Sequence, residues 1–211
     1  MELRYKKIHF LGDSITKGYG ATVYENCCVG KITEKYPGSR ITNYGVGGSC
    51  IGNCCVWGSE DMRARVAKME PGADLIVISG GSNDFHCMTP LGTPDDRTED
   101  SFLGAYNLLL DMLEAKFPGA RLVLCTPAPR FDEAWPVRDQ RVRVAPLRVY
   151  VDAVKNLATR RNLPVIDLFS IDDLHPEPQG HNKKLTVDGL HPNDEGYALI
   201  FSLVDHALQT I

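Results

Sequence analysis

The sequence predicts a three-layer α/β/α domain built on a parallel sheet. Short apolar runs rich in β-branched residues recur along the chain, and several are continuously apolar rather than alternating, as a strand covered on both faces must be. Between them lie segments whose apolar residues step by three or four, the period of a helix. Parallel neighbours need crossover connections, so this alternation of strand and helix places helices on both faces of the sheet.

Five runs read as strands. They are KIHFLG (Lys7 to Gly12), RITNYGV (Arg40 to Val46), LIVISGG (Leu75 to Gly81), RLVLCTP (Arg121 to Pro127) and LPVIDLF (Leu163 to Phe169). Met62, Val66 and Met69 mark a short helix ended by Pro71 and Gly72. Phe102, Tyr106, Leu109, Leu113 and Phe117 form one longer apolar stripe, and Leu147, Val151, Val154 and Ala158 another. Tyr197, Ile200, Val204 and Ala207 make a third, opened by Asn193 as a cap with Asp194 and Glu195 in the first turn. Two polar stretches, Arg130 to Arg143 and Ser170 to Val187, read as loops. No linker, repeat or low-complexity tract divides the chain, so residues 1–211 are expected to form one domain.

Composition excludes several classes of function. The formal charge is -4 and no basic run supplies the phosphate-neutralising stripe of a nucleic-acid binder. No apolar run approaches a membrane span or a signal-peptide core, and the chain reads as cytoplasmic. Seven cysteines are an odd number, and Cys27, Cys28, Cys50, Cys54, Cys55, Cys87 and Cys125 lack the spacing of a secreted disulfide framework. CIGNCC, Cys50 to Cys55, has the softness of a metal site without the paired C-x-x-C of a zinc ribbon, so thiols are expected there and no metal.

In open α/β sheets chemistry gathers beyond the carboxyl ends of the strands. Gly12-Asp13-Ser14 follows the first strand, Gly45-Val46-Gly47-Gly48 the second, and Gly80-Gly81-Ser82-Asn83-Asp84 the third. Asp188-Gly189-Leu190-His191-Pro192 precedes the last helix. Acyl transfer needs a nucleophile, a base for its proton, a group that fixes the base's tautomer, and donors for the developing oxyanion. Ser14, His191, Asp188, the backbone amides of Ser14 and Gly48, and the Asn83 side chain fill those roles in turn. Each alone is ordinarily a turn or surface residue, and only the conjunction carries the catalytic reading. Asp13 and Asp84 are expected to brace their loops.

Other motifs fail on their own terms. GDSITKG has Lys17-Gly18-Tyr19 where a phosphate loop needs Gly-Lys-Ser/Thr, and GVGGSC puts Cys50 where a dinucleotide fingerprint needs its third glycine. GGSND lacks the final glycine of a nucleophile elbow, which removes Ser82 as a nucleophile.

Taken together the four blocks resemble the SGNH hydrolases, also called GDSL-type esterases and lipases. That family carries G-D-S near the N-terminus, a glycine block after the second strand, G-x-N-D after the third and D-x-x-H-P near the C-terminus. The resemblance implies Ser14 as nucleophile, Asp188 and His191 as its triad partners, and Ser14, Gly48 and Asn83 as the oxyanion hole. It also implies a flavodoxin-like sheet of five parallel strands and a reaction without cofactor. Gly47 adjoins Gly48, and the family spacing N-x-G-x-x-G, met by Asn43, Gly45 and Gly48, favours Gly48. Asp172 to Pro176 repeats the D-x-x-H-P pattern, but only His191 leads into the capped final helix.

The function expected is a serine esterase on a small-molecule ester, with short acyl groups such as O-acetyl on a carbohydrate favoured by the lack of a lid or long apolar loop. Trp57, Phe85, His86, Phe131 and Trp135 are candidates for stacking on a sugar at the rim. The alternatives are a lysophospholipase or thioesterase on longer chains, a non-catalytic carbohydrate-binding relative, or a flavodoxin-like nucleotide binder.

Overall fold

A computed structural model describes residues 2–54, 58–134, 137–138, 141–142, 145–177 and 184–211. Strands β1 (Lys7–Gly12), β2 (Arg40–Gly45), β3 (Leu75–Ser79), β4 (Arg121–Cys125) and β7 (Val165–Ile166) form one sheet in the order β2-β1-β3-β4-β7. Every neighbouring pair in it is parallel. The short strands β5 (Val137–Arg138) and β6 (Arg141–Val142) pair antiparallel within the first predicted loop. The helices are α1 (Ser14–Lys17), α2 (Cys28–Lys35), α3 (Met62–Val66), α4 (Ser82–Cys87), α5 (Phe102–Lys116), α6 (Leu147–Arg161) and α7 (Asp194–Thr210).

Strand periodicity sorts the core into two layers. Ile8, Phe10, Leu75, Val77, Val123 and Cys125 face α2 and α7, in a cluster with Ile32, Tyr197 and Val204. The alternate residues Leu11, Ile76, Ile78, Leu122 and Leu124 face the other way, in a cluster with Met62, Leu109 and Val154 from α3, α5 and α6. Burial on both faces is why these strands read as continuous apolar runs. The sheet with helices on both sides is the three-layer fold that the sequence predicts.

The predicted strand at Leu163–Phe169 shrinks to two residues. Pro164 has no N–H for the ladder, and the Phe169 amide donates to Thr126 Oγ1 at 3.0 Å as the chain turns through a 3-10 segment, Leu168–Ser170. Beyond β3, Gly81 at φ +108 bends the chain into α4, which an expectation of strand up to Gly81 does not contain. β1 lies second in the order, between the edge strand β2 and the central strand β3, so the winding reverses there and opens a crevice at the carboxyl ends. No helix among the described residues is long and apolar enough to cross a membrane.

Candidate active site

Gly12 ends β1 where any Cβ would lie 2.0 Å from Thr16 Oγ1 and 2.9 Å from Ser79 O, so only glycine lets α1 start this tightly. Asp13 caps that helix, its Oδ1 accepting the Ile15 amide at 3.0 Å. Ser14 is therefore the first residue of α1 and not its cap. Burial pushes the Asp13 carboxyl up, and the Ile15 amide opposes that shift.

Ser14 Oγ lies 2.9 Å from His191 Nε2. His191 Nδ1 lies 2.6 Å from Asp188 Oδ2, while Asp188 Oδ1 accepts the amides of Leu190 at 3.0 Å and His191 at 2.8 Å. Partial burial alone would raise the Asp188 carboxyl, but the His191 and Leu190 hydrogen bonds outweigh it and hold the pKa below the ordinary value. A carboxylate only accepts, so the partners assign the proton to Nδ1 and leave Nε2 to accept from the Ser14 hydroxyl.

The loop carrying Asp188 and His191 is held at its base by a bridge between Thr186 and Pro192, with Val187 N donating to His191 O at 2.9 Å. Two latches then bring it to the N-terminal end of the chain. Tyr197 Oη donates to Ile15 O or Tyr19 O, at 3.1 and 2.8 Å, and Asp194 accepts the Thr22 amide, the Thr22 hydroxyl and the Asn26 amide group. Gly20 passes under the loop where a Cβ would stand 2.4 Å from Pro192 O. Exposed Tyr19 lays its ring 4.5 Å from the His191 ring.

The glycine block forms a turn in which Ser49 N donates to Val46 O at 3.3 Å, with Gly48 at φ +75, the left-handed position of a type II turn. A Cβ on Gly47 would face the Ser14 Cβ at 3.9 Å. Ser59 Oγ donates to Gly47 O at 2.7 Å. Buried Arg65 donates to Tyr44 O, Gly12 O and Ser49 Oγ, tying the ends of β1 and β2 to this turn. Asn83, in the first turn of α4, donates from Nδ2 to Ser49 O at 2.9 Å. Asp84 is fully buried and accepts the Ile51 and Gly52 amides at 3.0 and 2.8 Å. Burial, with Cys54 nearby, pushes its carboxyl up to about 7 against those bonds.

The structure thus brings Ser14, Gly47, Gly48, Asn83, Asp188 and His191 to one edge of the sheet, and Asp13 and Asp84 each hold loop amides. His175 of the repeated motif stands apart, with Nδ1 on Glu133 and Nε2 on Phe169 O. The expectation for Phe85 is corrected: it is 1% exposed, packed edge-on to Tyr150 beneath the Arg130 guanidinium, and no sugar can stack on it. His86 and Phe131 are half-buried, and the Phe131 amide donates to Gly189 O at 2.8 Å. Trp57, Trp135 and Cys55 lie outside the described residues. Sequence reasoning missed Arg65, Ser59, Tyr19 and the buried Arg130–Asp132 pair, whose Arg130 donates to Ser82 O. Only the fold brings them to the site. Three thiols, Cys50, Cys54 and Cys87, also converge within the described residues.

An α/β fold with a serine, an imidazole and a carboxylate in line at the switch point defines a hydrolase class. Residues 10–199 match the model of the GDSL-like Lipase/Acylhydrolase family, and the chain belongs to that family. A protein of known structure from Lactobacillus plantarum is 25% identical, with TM-score 0.82 over 98% of this chain and 97% of that one. An acetyl xylan esterase is 25% identical, with TM-score 0.69 over 95% of this chain and 98% of its own. A two-domain esterase active on acetylated mannans shares the fold at 22% identity and TM-score 0.64, covering 99% of this chain and 49% of that one. A search of curated protein sequences finds no match.

Proposed function

We propose that this chain is a serine esterase that removes short acyl groups, O-acetyl on a carbohydrate foremost. The observation that carries the reading is the line Ser14 Oγ, His191 Nε2, His191 Nδ1, Asp188 Oδ2, with steps of 2.9 and 2.6 Å. Ser14 Oγ attacks the acyl carbonyl as its proton passes to His191 Nε2, and Asp188 stabilises the imidazolium. The tetrahedral oxyanion is held by the amides of Ser14 and Gly48 and by Asn83 Nδ2. The leaving alcohol takes the proton from Nε2, and water, deprotonated by the same nitrogen, releases the acid and restores Ser14.

Ser59 supports Gly48 as the donor. The C=O and N–H of a trans peptide point in opposite directions, so the bond from Ser59 to Gly47 O turns the Gly48 amide the other way. Asn83 has a second amide hydrogen beyond the one spent on Ser49 O.

The acetyl xylan esterase relative supports the substrate class. An apolar groove of 230 Å³ is lined by Leu91, Leu103, Val149 and Leu157 among others, none of them in the Ser14 constellation. Residues 1–211 are taken as one hydrolase unit, and the cytoplasmic setting belongs to the same proposal, supported by thiols rather than disulfides at all six described cysteines.

The test compares acetyl, butyryl and octanoyl esters of one alcohol, together with acetylated xylan, for the wild type and Ser14→Ala. The proposal expects acetyl to be hydrolysed fastest and the variant to be inactive. Rates rising with chain length would favour the lysophospholipase or thioesterase reading, and sugar binding without turnover the non-catalytic one.

A further inference from the structure

Cys50, Cys54 and Cys87 come from two elements, the loop after Gly48 and the last residue of α4, and their sulfurs all lie within 4.8 Å of one another. They differ from the cysteines that pack the core. Cys27, Cys28 and Cys125 sit in an apolar cluster with leucine, isoleucine and valine, whereas Cys50, Cys54 and Cys87 belong to neither apolar cluster of the fold. Cys50 is buried and the other two are half-buried, which leaves a path from solvent.

We propose that these three thiols form a binding site for a thiophilic metal ion, Zn²⁺ by preference, with water as the remaining ligand. A Zn–S bond of about 2.3 Å sets sulfur–sulfur edges of about 3.8 Å in a tetrahedral site, so the cluster closes by about 1 Å or less. Soft sulfur donors exclude Mg²⁺ and Ca²⁺. Binding converts three thiols to thiolates and releases three protons, leaving a net charge of -1 with Zn²⁺ against -2 with Cu⁺, and the neighbouring Asp84 carboxyl disfavours the more negative cluster. The surroundings hold the ligands in place. Asp84 clamps the amides of Ile51 and Gly52, between the two loop cysteines. Met88, at φ 60, ends α4 in a left-handed residue and turns Thr89 so that its hydroxyl lies 2.6 Å from Cys54 Sγ. Such contacts fix ligand direction as second-layer partners do in metal sites.

The site adjoins the proposed oxyanion donors, because Cys50 follows Gly48 by two residues and Cys87 lies one helical turn beyond Asn83, on the same face of α4. Zn²⁺ would therefore join the two elements that carry them and alter turnover. That consequence rests on the esterase reading, while the binding itself does not.

The test titrates reduced, chelator-treated protein with Co²⁺, read by the near-ultraviolet thiolate-to-cobalt absorption, and then displaces it with Zn²⁺. One Co²⁺ per chain is expected, unchanged in Ser14→Ala and in the remote Cys125→Ala. Changing an outer-layer partner costs roughly 10- to 100-fold in affinity, so losing a ligand in Cys54→Ser or Cys87→Ser should cost more than about 100-fold. Absence of the band, or equal affinity in Cys87→Ser, would overturn the site. So would a Cys54–Cys87 disulfide formed with diamide in a protein that binds no Co²⁺, which would make the pair redox-active instead. Binding with turnover of acetyl ester unchanged would overturn the coupling and leave the site standing.

Discussion

Asp188 meets His191 twice, once at the backbone and once at the ring. Oδ1 takes the His191 amide at 2.8 Å and Oδ2 lies 2.6 Å from Nδ1. The two contacts can be separated by substitution. Asp188→Asn keeps an oxygen for the backbone amides but can place a donor against Nδ1, favouring the wrong tautomer. Turnover of an acetyl ester should fall by up to ~10⁴-fold with thermal stability little changed. A fall below tenfold would show that the ring contact does not set the tautomer.

If Asn83 fills the proposed oxyanion role, Asn83→Ala should lower kcat by about 10²- to 10³-fold with a smaller change in KM, since such a donor acts mainly in the transition state. A pure rise in KM would remove Asn83 from the oxyanion hole.

Arg65 satisfies two backbone carbonyls and Ser49 Oγ from a buried position. Arg65→Met removes its bonds to Tyr44 O and Ser49 Oγ and leaves Gly12 O only the Val46 amide, and should cost on the order of 2–4 kcal/mol in denaturant unfolding. Arg65→Lys should recover only part, because an ammonium lacks the fork that reaches them together. Full stability of Arg65→Met would contradict this role.

His9 gives the fold an acid-sensitive point. It is buried between Tyr44 and Phe117 with no hydrogen-bond partner on either ring nitrogen among the described residues, and desolvation drives its pKa from 6.5 to about 4. The unfolded chain therefore binds more protons between those values. The stability from keeping His9 neutral is complete above about pH 6.5 and falls by about 3 kcal/mol by pH 4. His9→Leu should flatten that limb of the stability profile, and an unchanged slope would assign the acid sensitivity elsewhere.

How much was legible in sequence follows from local physics. β1, β3 and β4 announce themselves because both faces are buried, and α5, α6 and α7 because each has one long apolar stripe. α4 has only six residues and opens on Gly81-Ser82-Asn83, which reads as a turn, and β7 is cut short beside Pro164. Ser14, Asn83, Asp188 and His191 are legible as candidates because each stands in a short motif at a strand or helix end. Phe85 was misplaced because helical phase was ignored: two residues beyond Asn83 is about 200° around the helix, so one faces the crevice edge and the other the core. Cys87 could not be linked to Cys50 and Cys54, nor Arg65 to Ser49, because those approaches exist only once loop and helix pack.

The most direct measurement is covalent labelling of the native protein with a fluorophosphonate, with the modified peptide mapped by mass spectrometry. The proposed chemistry predicts one adduct, on Ser14, greatly slowed in His191→Ala and absent in Ser14→Ala together with ester hydrolysis. An adduct on another residue, or normal hydrolysis by Ser14→Ala, would contradict it.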